Sequence, residues 1–205
     1  MAMTCYLFEE QLRLFMEALE IPKASLVGHS MGGGTSIVFS LKNPEKVDKL
    51  ILTDSTGIPT ELPFRAKVFR LKGVAEFLMS RNTDRVRRMN MEDVWIYNSE
   101  SMTDDDYNNF VRYQKVQDTT EALLSILRKD FFNTLEEQIQ ELGRLDIPTL
   151  IIWGREDVSL PVNCGQTMHG LMPGSKLEIL DNAGHLANFD QPDQFNELVI
   201  DFLND

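Results

Sequence analysis

Residues 28–32 have the sequence Gly-His-Ser-Met-Gly, in which Ser30 stands between two glycines. This G-x-S-x-G pattern presents a nucleophilic serine on a sharp turn when a strand precedes it and a helix follows it. Residues 25–28 read as a short buried strand, and the glycines after Ser30 lead into a helical stretch that stops near Asn43. We therefore predict that Ser30 is a nucleophile on a strained turn, with no room for side chains at the glycines two positions either side.

A serine hydroxyl is a poor nucleophile until a base accepts its proton, so the three histidines of the chain are the candidates for that base. His185 lies in the segment Asn-Ala-Gly-His after the last predicted strand and can reach back over the same edge of the sheet. The side chain of His29 is expected to project elsewhere, and His169 is expected on the surface of a helix. We assign the base to His185.

The base needs a carboxylate that orients its ring and stabilises the imidazolium. Asp157 follows a predicted strand and turn in Trp-Gly-Arg-Glu-Asp, and it completes the chain order Ser, Asp, His that a parallel sheet of this kind uses. Glu156 beside it and Asp54 at the end of the second strand are the competing carboxylates. We assign the acid to Asp157.

The elements that must position these residues follow from the hydrophobic pattern. Phe8, Leu12, Phe15 and Leu19 share one face of a predicted first helix over residues 5–20. Listed in order, the rest of the pattern predicts a strand at 47–53, a helical block at 57–145 with Thr103 as a helix N-cap, strands at 148–154 and 176–180, a helix around 162–172 and a last helix behind Pro192. This order is typical of an α/β fold with a parallel sheet covered by helices on both faces.

Composition limits the classes of partner. The formal net charge of −12 disfavours binding to nucleic acid or to an anionic membrane. No apolar run approaches the ~20 residues that cross a bilayer, and the first residues do not resemble a secretory leader. The only cysteines, Cys5 and Cys164, form neither a metal-ligand spacing nor a disulfide framework. We expect a cytoplasmic protein whose partner is a small molecule.

Residues 27–33, 151–157 and 182–185 together resemble the α/β-hydrolase family. The resemblance implies a parallel sheet of the α/β-hydrolase type, formed by residues 1–56 and 146–205, with residues 57–145 inserted as a helical cap. It implies that the backbone N–H of Met31 stabilises an oxyanion, and that neither a cofactor nor a metal is needed.

The same resemblance implies strands upstream of the first helix, and nothing in this chain corresponds to them. The strand at 25–28 is therefore expected to be an exposed edge, through which copies of the chain associate. It also leads us to expect a C-terminal fragment, a truncated product or a chain completed by a partner, with weak catalysis by the 205 residues alone.

The function that we expect first is hydrolysis of a carboxylic ester through an acyl-enzyme. The block at 57–145 is rich in aromatic residues that would roof an apolar pocket: Phe64, Phe69, Phe77, Trp95, Tyr97, Tyr107 and Phe110.

One alternative is hydrolysis of a carbon–carbon bond in a vinylogous diketone, with the basic stretch from Arg65 to Arg88 holding a substrate carboxylate, although that stretch is more simply a solvated face. Against this alternative, Leu186 stands where that subgroup carries tryptophan. The other alternative is a truncated, inactive homologue that acts in binding or assembly.

Overall fold

The computed structural model describes residues 4–60, 68, 71–81, 83–128 and 134–205. The strands are β1 (Ala24–His29), β2 (Val47–Thr53), β3 (Thr149–Gly154) and β4 (Lys176–Leu180). The α-helices are α1 (Thr4–Ala18), α2 (Met31–Lys42), α3 (Val74–Ser80), α4 (Asp84–Val94), α5 (Asp104–Val111), α6 (Thr119–Arg128), α7 (Glu136–Leu142), α8 (Asn163–Leu171), α9 (Ala187–Asp190) and α10 (Pro192–Asn204). Short 3-10 turns cover Pro44–Lys46, Ser99–Ser101 and Arg112–Lys115. Within these described ranges, no helix is long and apolar enough to cross a membrane.

The predicted parallel sheet is confirmed. The four strands run parallel in the spatial order β1-β2-β3-β4, with Leu26 opposite Leu50 and Leu52 opposite Ile151. Their carboxyl ends therefore meet at one edge of the sheet, where ligands bind in parallel α/β proteins. We call this edge the rim and define it by Ser30 and residues 54–57, 155–160 and 181–186.

Alternation along β2 and β3 divides the core into two faces. Leu50, Leu52, Ile151 and Trp153 pack on one face, beneath α2, α7 and α8. On the opposite face, Ile51, Leu150 and Ile152 pack under α10, in a cluster that includes Phe202. Both central strands are thus covered on both sides, which explains their continuous apolar sequences.

Strand β1 lies at the end of the described sheet, as the sequence predicts. Leu26 packs against the first core face, whereas Val27, which points to the other side, is 54% exposed. Among the described residues, α10 packs against the cluster on β2, β3 and β4 and leaves Val27 on the outer face of β1 exposed.

Helix α1 differs from the prediction in the face that it buries. Phe15 and Leu19, two of the four residues predicted to share the apolar face, are each 56% exposed, whereas Cys5, Glu9 and Met16 are buried. Glu9 carries a charge into this interface because Lys42 Nζ lies 2.6 Å from its Oε2 and Asn43 Nδ2 lies 3.2 Å from its Oε1. The buried face of α1 thus includes an ion pair with α2, which the periodicity of α1 cannot reveal.

The predicted helical block between β2 and β3 is present in its described part. Helices α3 to α6 belong to residues 71–81 and 83–128, which we call the insertion. Thr103 is the predicted N-cap: its Oγ1 accepts a hydrogen bond from the Asp106 N–H at 3.2 Å, and Asp106 bonds back to the Thr103 N–H. Helix α7 also falls within 57–145, yet Ile139 packs in the first core face, which favours an earlier end of the insertion.

Part of the basic stretch lies in the insertion. Arg87 Nη1 lies 2.9 Å from Asp84 Oδ1, and Arg88 pairs with both Glu92 and Asp104. These pairs agree with the simpler interpretation, that of a solvated charged face. Of the other predicted residues, Phe64, Phe69, Arg65, Lys67 and Arg70 lie outside the described residues.

Candidate active site

Ser30 occupies the turn between β1 and α2 in a left-handed backbone conformation, with φ 51° and ψ −118°. Its N–H donates to the Thr53 carbonyl at 3.0 Å, and its own carbonyl accepts from the N–H groups of Gly33 and Thr56, each at 3.0 Å. This strained conformation is held by hydrogen bonds from two neighbouring segments. The turn places the Met31 N–H in the first turn of α2, where the helix itself offers it no acceptor.

The glycines around Ser30 are required at positions that differ in part from the prediction. A Cβ on Gly28 would lie 2.6 Å from the Gly32 carbonyl oxygen, so this position has no room for a side chain, as expected. Among the described residues, a Cβ on Gly32 would meet nothing within 4 Å, so the prediction is wrong there. The crowded position is Gly33, whose Cβ would lie 2.1 Å from Ser55 Oγ, because α2 runs directly against the segment after β2.

Asp157 and His185 are hydrogen-bonded at the rim. His185 Nδ1 lies 2.7 Å from Asp157 Oδ2, and both side chains are buried. The other oxygen, Oδ1, accepts from the backbone N–H groups of Ser159 at 2.7 Å and Leu160 at 2.9 Å. Since the carboxylate can only accept, the proton of a neutral His185 is on Nδ1, which leaves Nε2 free to accept a proton.

His29 does not project away from the site, contrary to the prediction. Its Nε2 lies 2.8 Å from the His185 carbonyl oxygen, and the two imidazole rings are 4.7 Å apart between centroids. Burial, reinforced by the charge of His185, lowers the pKa of His29 to about 4. A neutral His29 therefore donates from Nε2 to that carbonyl. This contact brings the turn that carries Ser30 against the loop that carries His185.

The remaining candidates occupy other places. His169 is half-buried on α8, with Nδ1 2.9 Å from Ser175 Oγ. Glu156 accepts the Ala183 N–H at 3.0 Å, so it supports the backbone of the histidine loop rather than the imidazole. Neither competes with Asp157 or His185 for the roles assigned to them.

Asp54 lies unexpectedly close to Asp157 and His185, since one ligand-type atom from each of the three is within 4.8 Å of the others. Its Oδ1 accepts from the Gly154 N–H at 2.9 Å, while Oδ2 is buried with no hydrogen-bond partner in the described part of the chain. Burial raises the pKa of Asp54 well above its usual range, and the negative charge of Asp157 raises it further. Asp54 is less suited than Asp157 to stabilise an imidazolium, because burial disfavours its charged form.

The three residues also have the spacing of a metal site, with two carboxylates and one imidazole. Both oxygens of Asp157 already accept hydrogen bonds, and the Nδ1 proton of His185 is donated to one of them. The raised pKa of Asp54 disfavours the ionised carboxylate that a cation would need as its ligand. The hydrogen-bonding pattern therefore fits an acid–base pair better than a metal centre.

Comparison with known proteins agrees with this geometry. A family model described as the alpha/beta hydrolase fold matches residues 3–192. The chain belongs to the α/β-hydrolase family. A 2-hydroxy-6-oxononadienedioate/2-hydroxy-6-oxononatrienedioate hydrolase from Dechloromonas aromatica is 29% identical over 196 residues, covering 94% of this chain and 66% of that protein. A protein of the same name from a Pseudomonas species is 30% identical over 192 residues, covering 92% and 65%.

Among solved structures, a meta-cleavage product hydrolase from Pseudomonas fluorescens IP01 matches with a TM-score of 0.80 at 25% identity, covering 100% of this chain and 73% of that one. A bromoperoxidase from Bacillus anthracis has the same fold, with a TM-score of 0.80 at 20% identity. The chain spans about two thirds of the length of the curated relatives that it matches.

The first prediction concerns the glycines of this α/β-hydrolase turn. We expect Gly33→Ala to lower the free energy of unfolding by about 1–3 kcal/mol, because its methyl group would overlap Ser55. The matched control, Gly32→Ala, should leave stability unchanged or raise it by up to about 1 kcal/mol, since alanine favours the helix. Urea unfolding measures both, and equal effects of the two substitutions would contradict the prediction.

The second prediction concerns the proton on Asp54. Because its pKa is raised in the folded protein, the folded state keeps a proton that the unfolded chain releases, and stability falls as pH rises above the unfolded pKa. Asp54→Asn cannot titrate, and asparagine tolerates the φ of 42°. We expect the variant to gain stability relative to wild type as pH rises from 5 to 8, at up to about 1.4 kcal/mol per pH unit.

Urea unfolding at several pH values tests this, with Asp48→Asn as the control at the exposed start of the same strand. Lys23 lowers the pKa of Asp48, so that group is fully ionised over this range and its replacement adds no pH dependence. Parallel stability curves for wild type and Asp54→Asn would mean that Asp54 is charged in the folded protein.

Proposed function

We propose that this chain provides a serine-hydrolase site in which Ser30 is the nucleophile, His185 the general base and Asp157 the acid that orients the base. The observation that carries the proposal is the buried hydrogen bond between His185 and Asp157, beside a serine on a strained turn. The histidine then accepts the Ser30 proton at Nε2 as Oγ attacks a carbonyl carbon. The Met31 N–H, first in α2, is proposed to stabilise the resulting oxyanion.

We further propose that the bond cleaved is a carbon–carbon bond. The named activity of the curated relatives supports this choice, since their printed substrate has a hydroxyl at carbon 2 and an oxo group at carbon 6. A dienol conjugated to a ketone is a vinylogous diketone, and its second carbonyl can accept the electron pair of the breaking bond. This reading takes precedence over the ester hydrolysis that the sequence first suggested.

The steps balance with water as the only co-reactant. The substrate first ketonises, moving the enol proton to the carbon next to the attacked carbonyl. Oγ then adds to that carbonyl, and the bond to the neighbouring carbon breaks with its electron pair delocalised into the distant ketone. His185 returns the proton to the departing fragment, and water then releases the acyl group from Ser30 as a carboxylic acid.

Ester hydrolysis remains the second candidate. It uses the same three residues, but an alkoxide leaves without any need for a conjugated ketone. Leu186, directly after the proposed base, favours this candidate, because the carbon–carbon hydrolases that the sequence resembles carry tryptophan there. The two candidates therefore differ in the leaving group and not in the nucleophile.

The insertion is proposed to be the lid of the site, with the boundaries 57–145 expected from the sequence or a somewhat earlier end. Its support is a direct contact: the Leu186 N–H donates to the Trp95 carbonyl at 2.8 Å. The aromatic residues Trp95, Tyr107 and Phe110 pack in the interior of the insertion rather than standing free. They stabilise the lid more than they line a pocket.

The third prediction separates the two substrate classes. On one preparation of the chain, we expect kcat/KM for a 2-hydroxy-6-oxo-dienoate to exceed that for p-nitrophenyl butyrate by about 10-fold or more. Ser30→Ala should lower both by at least about 1000-fold, because the nucleophile and base act as a unit. Ser25→Ala, at an exposed serine of β1, is the matched control and should keep both activities.

A higher kcat/KM for the ester would place ester hydrolysis first. Full activity of Ser30→Ala on both substrates would refute the mechanism. Activity of Asp157→Asn near wild type, with loss in Asp54→Asn, would show that the acid has been assigned to the wrong carboxyl.

We also propose that copies of the chain associate through β1 and the outward side of α1. Val27 is 54% exposed on the end strand of the described sheet, and Leu7, Leu14 and Phe15 are more than half exposed on α1. An open strand edge beside apolar side chains favours strand pairing between copies.

The fourth prediction tests this association. Val27→Lys should shift the sedimentation coefficient towards that of a monomer, because a charge on an edge strand opposes pairing. Val116→Lys introduces the same charge at a position in the insertion that is 63% exposed, and it should leave the assembly unchanged. A monomeric wild type would refute the proposal.

A cytoplasmic location is proposed from the cysteines. Cys5 and Cys164 are both free and buried, and burial raises the pKa of each thiol. Two protonated, buried thiols are typical of proteins kept in a reducing compartment.

A further inference from the structure

The carboxylate of Asp190 joins two distant segments of the chain. Its Oδ2 accepts from the Gly184 N–H and from the Tyr97 N–H, each at 2.9 Å, and its Oδ1 accepts from the Asn98 N–H at 3.0 Å. Gly184 directly precedes His185, whereas Tyr97 and Asn98 belong to the insertion. One side chain on α9 therefore bridges the insertion and the loop of the proposed base.

The residue on the other side of His185 is held by the insertion as well. The Leu186 N–H donates to the Trp95 carbonyl at 2.8 Å, and the Leu186 side chain is buried in the apolar cluster of the insertion. That cluster includes Met91 and Ile96, with Phe189 packed at its edge. Both neighbours of His185 are thus linked to one short stretch of the insertion, residues 95–98: Leu186 directly, and Gly184 through the Asp190 carboxylate.

A third bond fixes the same loop from the opposite direction. The carbonyl of His185 accepts from His29, which adjoins Ser30. On the acid side, Ser159 donates its N–H to Asp157 and its hydroxyl to the Val94 carbonyl, the latter at 3.3 Å. The insertion therefore reaches the loops of both the proposed base and the proposed acid, whereas His29 ties the base loop to the nucleophile turn.

We propose that Asp190 is a positioning residue that couples the place of the insertion to the orientation of His185. With the insertion seated, Asp190 and Leu186 hold the loop so that His185 Nδ1 faces Asp157. When residues 95–98 move away, the Leu186 N–H loses its bond to the Trp95 carbonyl. The Asp190 carboxylate then keeps its bond to the Gly184 N–H but no longer links it to Tyr97 and Asn98. The catalytic meaning of this coupling rests on the proposed function, but the coupling itself does not.

Chemistry explains why a carboxylate stands at this position. Three N–H groups converge on it, and both of its oxygens accept. An asparagine has only one acceptor oxygen, and its NH₂ group would face an N–H donor on the other side. Asp190→Asn can therefore satisfy either Asn98 or the pair formed by Gly184 and Tyr97, but not both sides together.

The experiment compares wild type, Asp190→Asn and the control Asp201→Asn, an exposed aspartate on α10. In Asp190→Asn we expect amide hydrogen exchange to quicken at least about 10-fold at Gly184 and at Tyr97 or Asn98, with the amides of β2 unchanged. The Nδ1 proton resonance of His185 should broaden or shift. With an active preparation, kcat should fall about 10- to 100-fold while KM stays within about twofold.

A purely structural link would give a different result. If the Tyr97 and Asn98 amides exchange faster but Gly184 and the His185 resonance are unaffected, Asp190 only ties down the insertion and the coupling is refuted. Unchanged kcat in an active Asp190→Asn enzyme would refute it too. If wild type cleaves neither substrate class, the proposed function fails, and the exchange and resonance data still decide the coupling.

A second variant covers the case in which Asp190→Asn does not fold, which circular dichroism reports. Leu186→Ala keeps the carboxylate bridge and removes the apolar anchor of the same loop. It should disturb the His185 resonance in the same direction, with less effect on Asn98. A Leu186→Ala protein with a wild-type resonance and wild-type exchange at Gly184 would overturn the proposal.

Discussion

Left-handed backbone turns at the ends of parallel strands are the constraint on which the rim depends. Among the described non-glycine residues, Ser30 follows β1 with φ 51°, Asp54 follows β2 with φ 42°, and Asn182 follows β4 with φ 57°. Such conformations are costly for residues with a Cβ and persist only where surrounding bonds enforce them. Here the Ser30 carbonyl accepts N–H groups from both α2 and the segment after β2, so one strained turn supports its neighbour.

Of these three residues only Asp54 is fully buried, and burial raises the pKa of its carboxyl group. Asp54 and Asp157 approach each other at the rim, and two negative charges at that depth would repel strongly. The structure resolves this by giving Asp157 three hydrogen-bond donors and leaving Asp54 with one backbone donor and a raised pKa. Which carboxyl can stabilise an imidazolium follows from the hydrogen bonds, not from chain position alone.

The sequence predicted what local patterns determine. The bounds of β2, the parallel order, and the N-cap at Thr103 all depend on periodicity or on residues a few positions apart. The errors lie where distant segments meet. Glu9 is buried where Lys42 approaches from another helix. Ser55, from the segment after β2, lies against Gly33 and not against Gly32.

His29 shows the same limit at the site itself. Its position in the motif suggested a side chain pointing away, but the His185 loop arrives from the far end of the chain to meet it. Asp190 could have been suspected from its place five residues after the proposed base, but its partners at Tyr97 and Asn98 belong to a segment with no sequence signal of its own. Tertiary hydrogen bonds of this kind leave no periodic pattern.

The position of the insertion connects these details to the choice of substrate. Carbon–carbon cleavage needs the base to deliver a proton to carbon while water is kept from the carbanion, so it depends on a closed lid more than ester cleavage does. In this chain the insertion is bonded directly to Leu186 and, through Asp190, to Gly184. A base that is correctly oriented only while the insertion is seated would not act while the site is open to water. The bridge at Asp190 therefore suits a reaction whose leaving group needs shelter, and it would give a simple esterase little advantage.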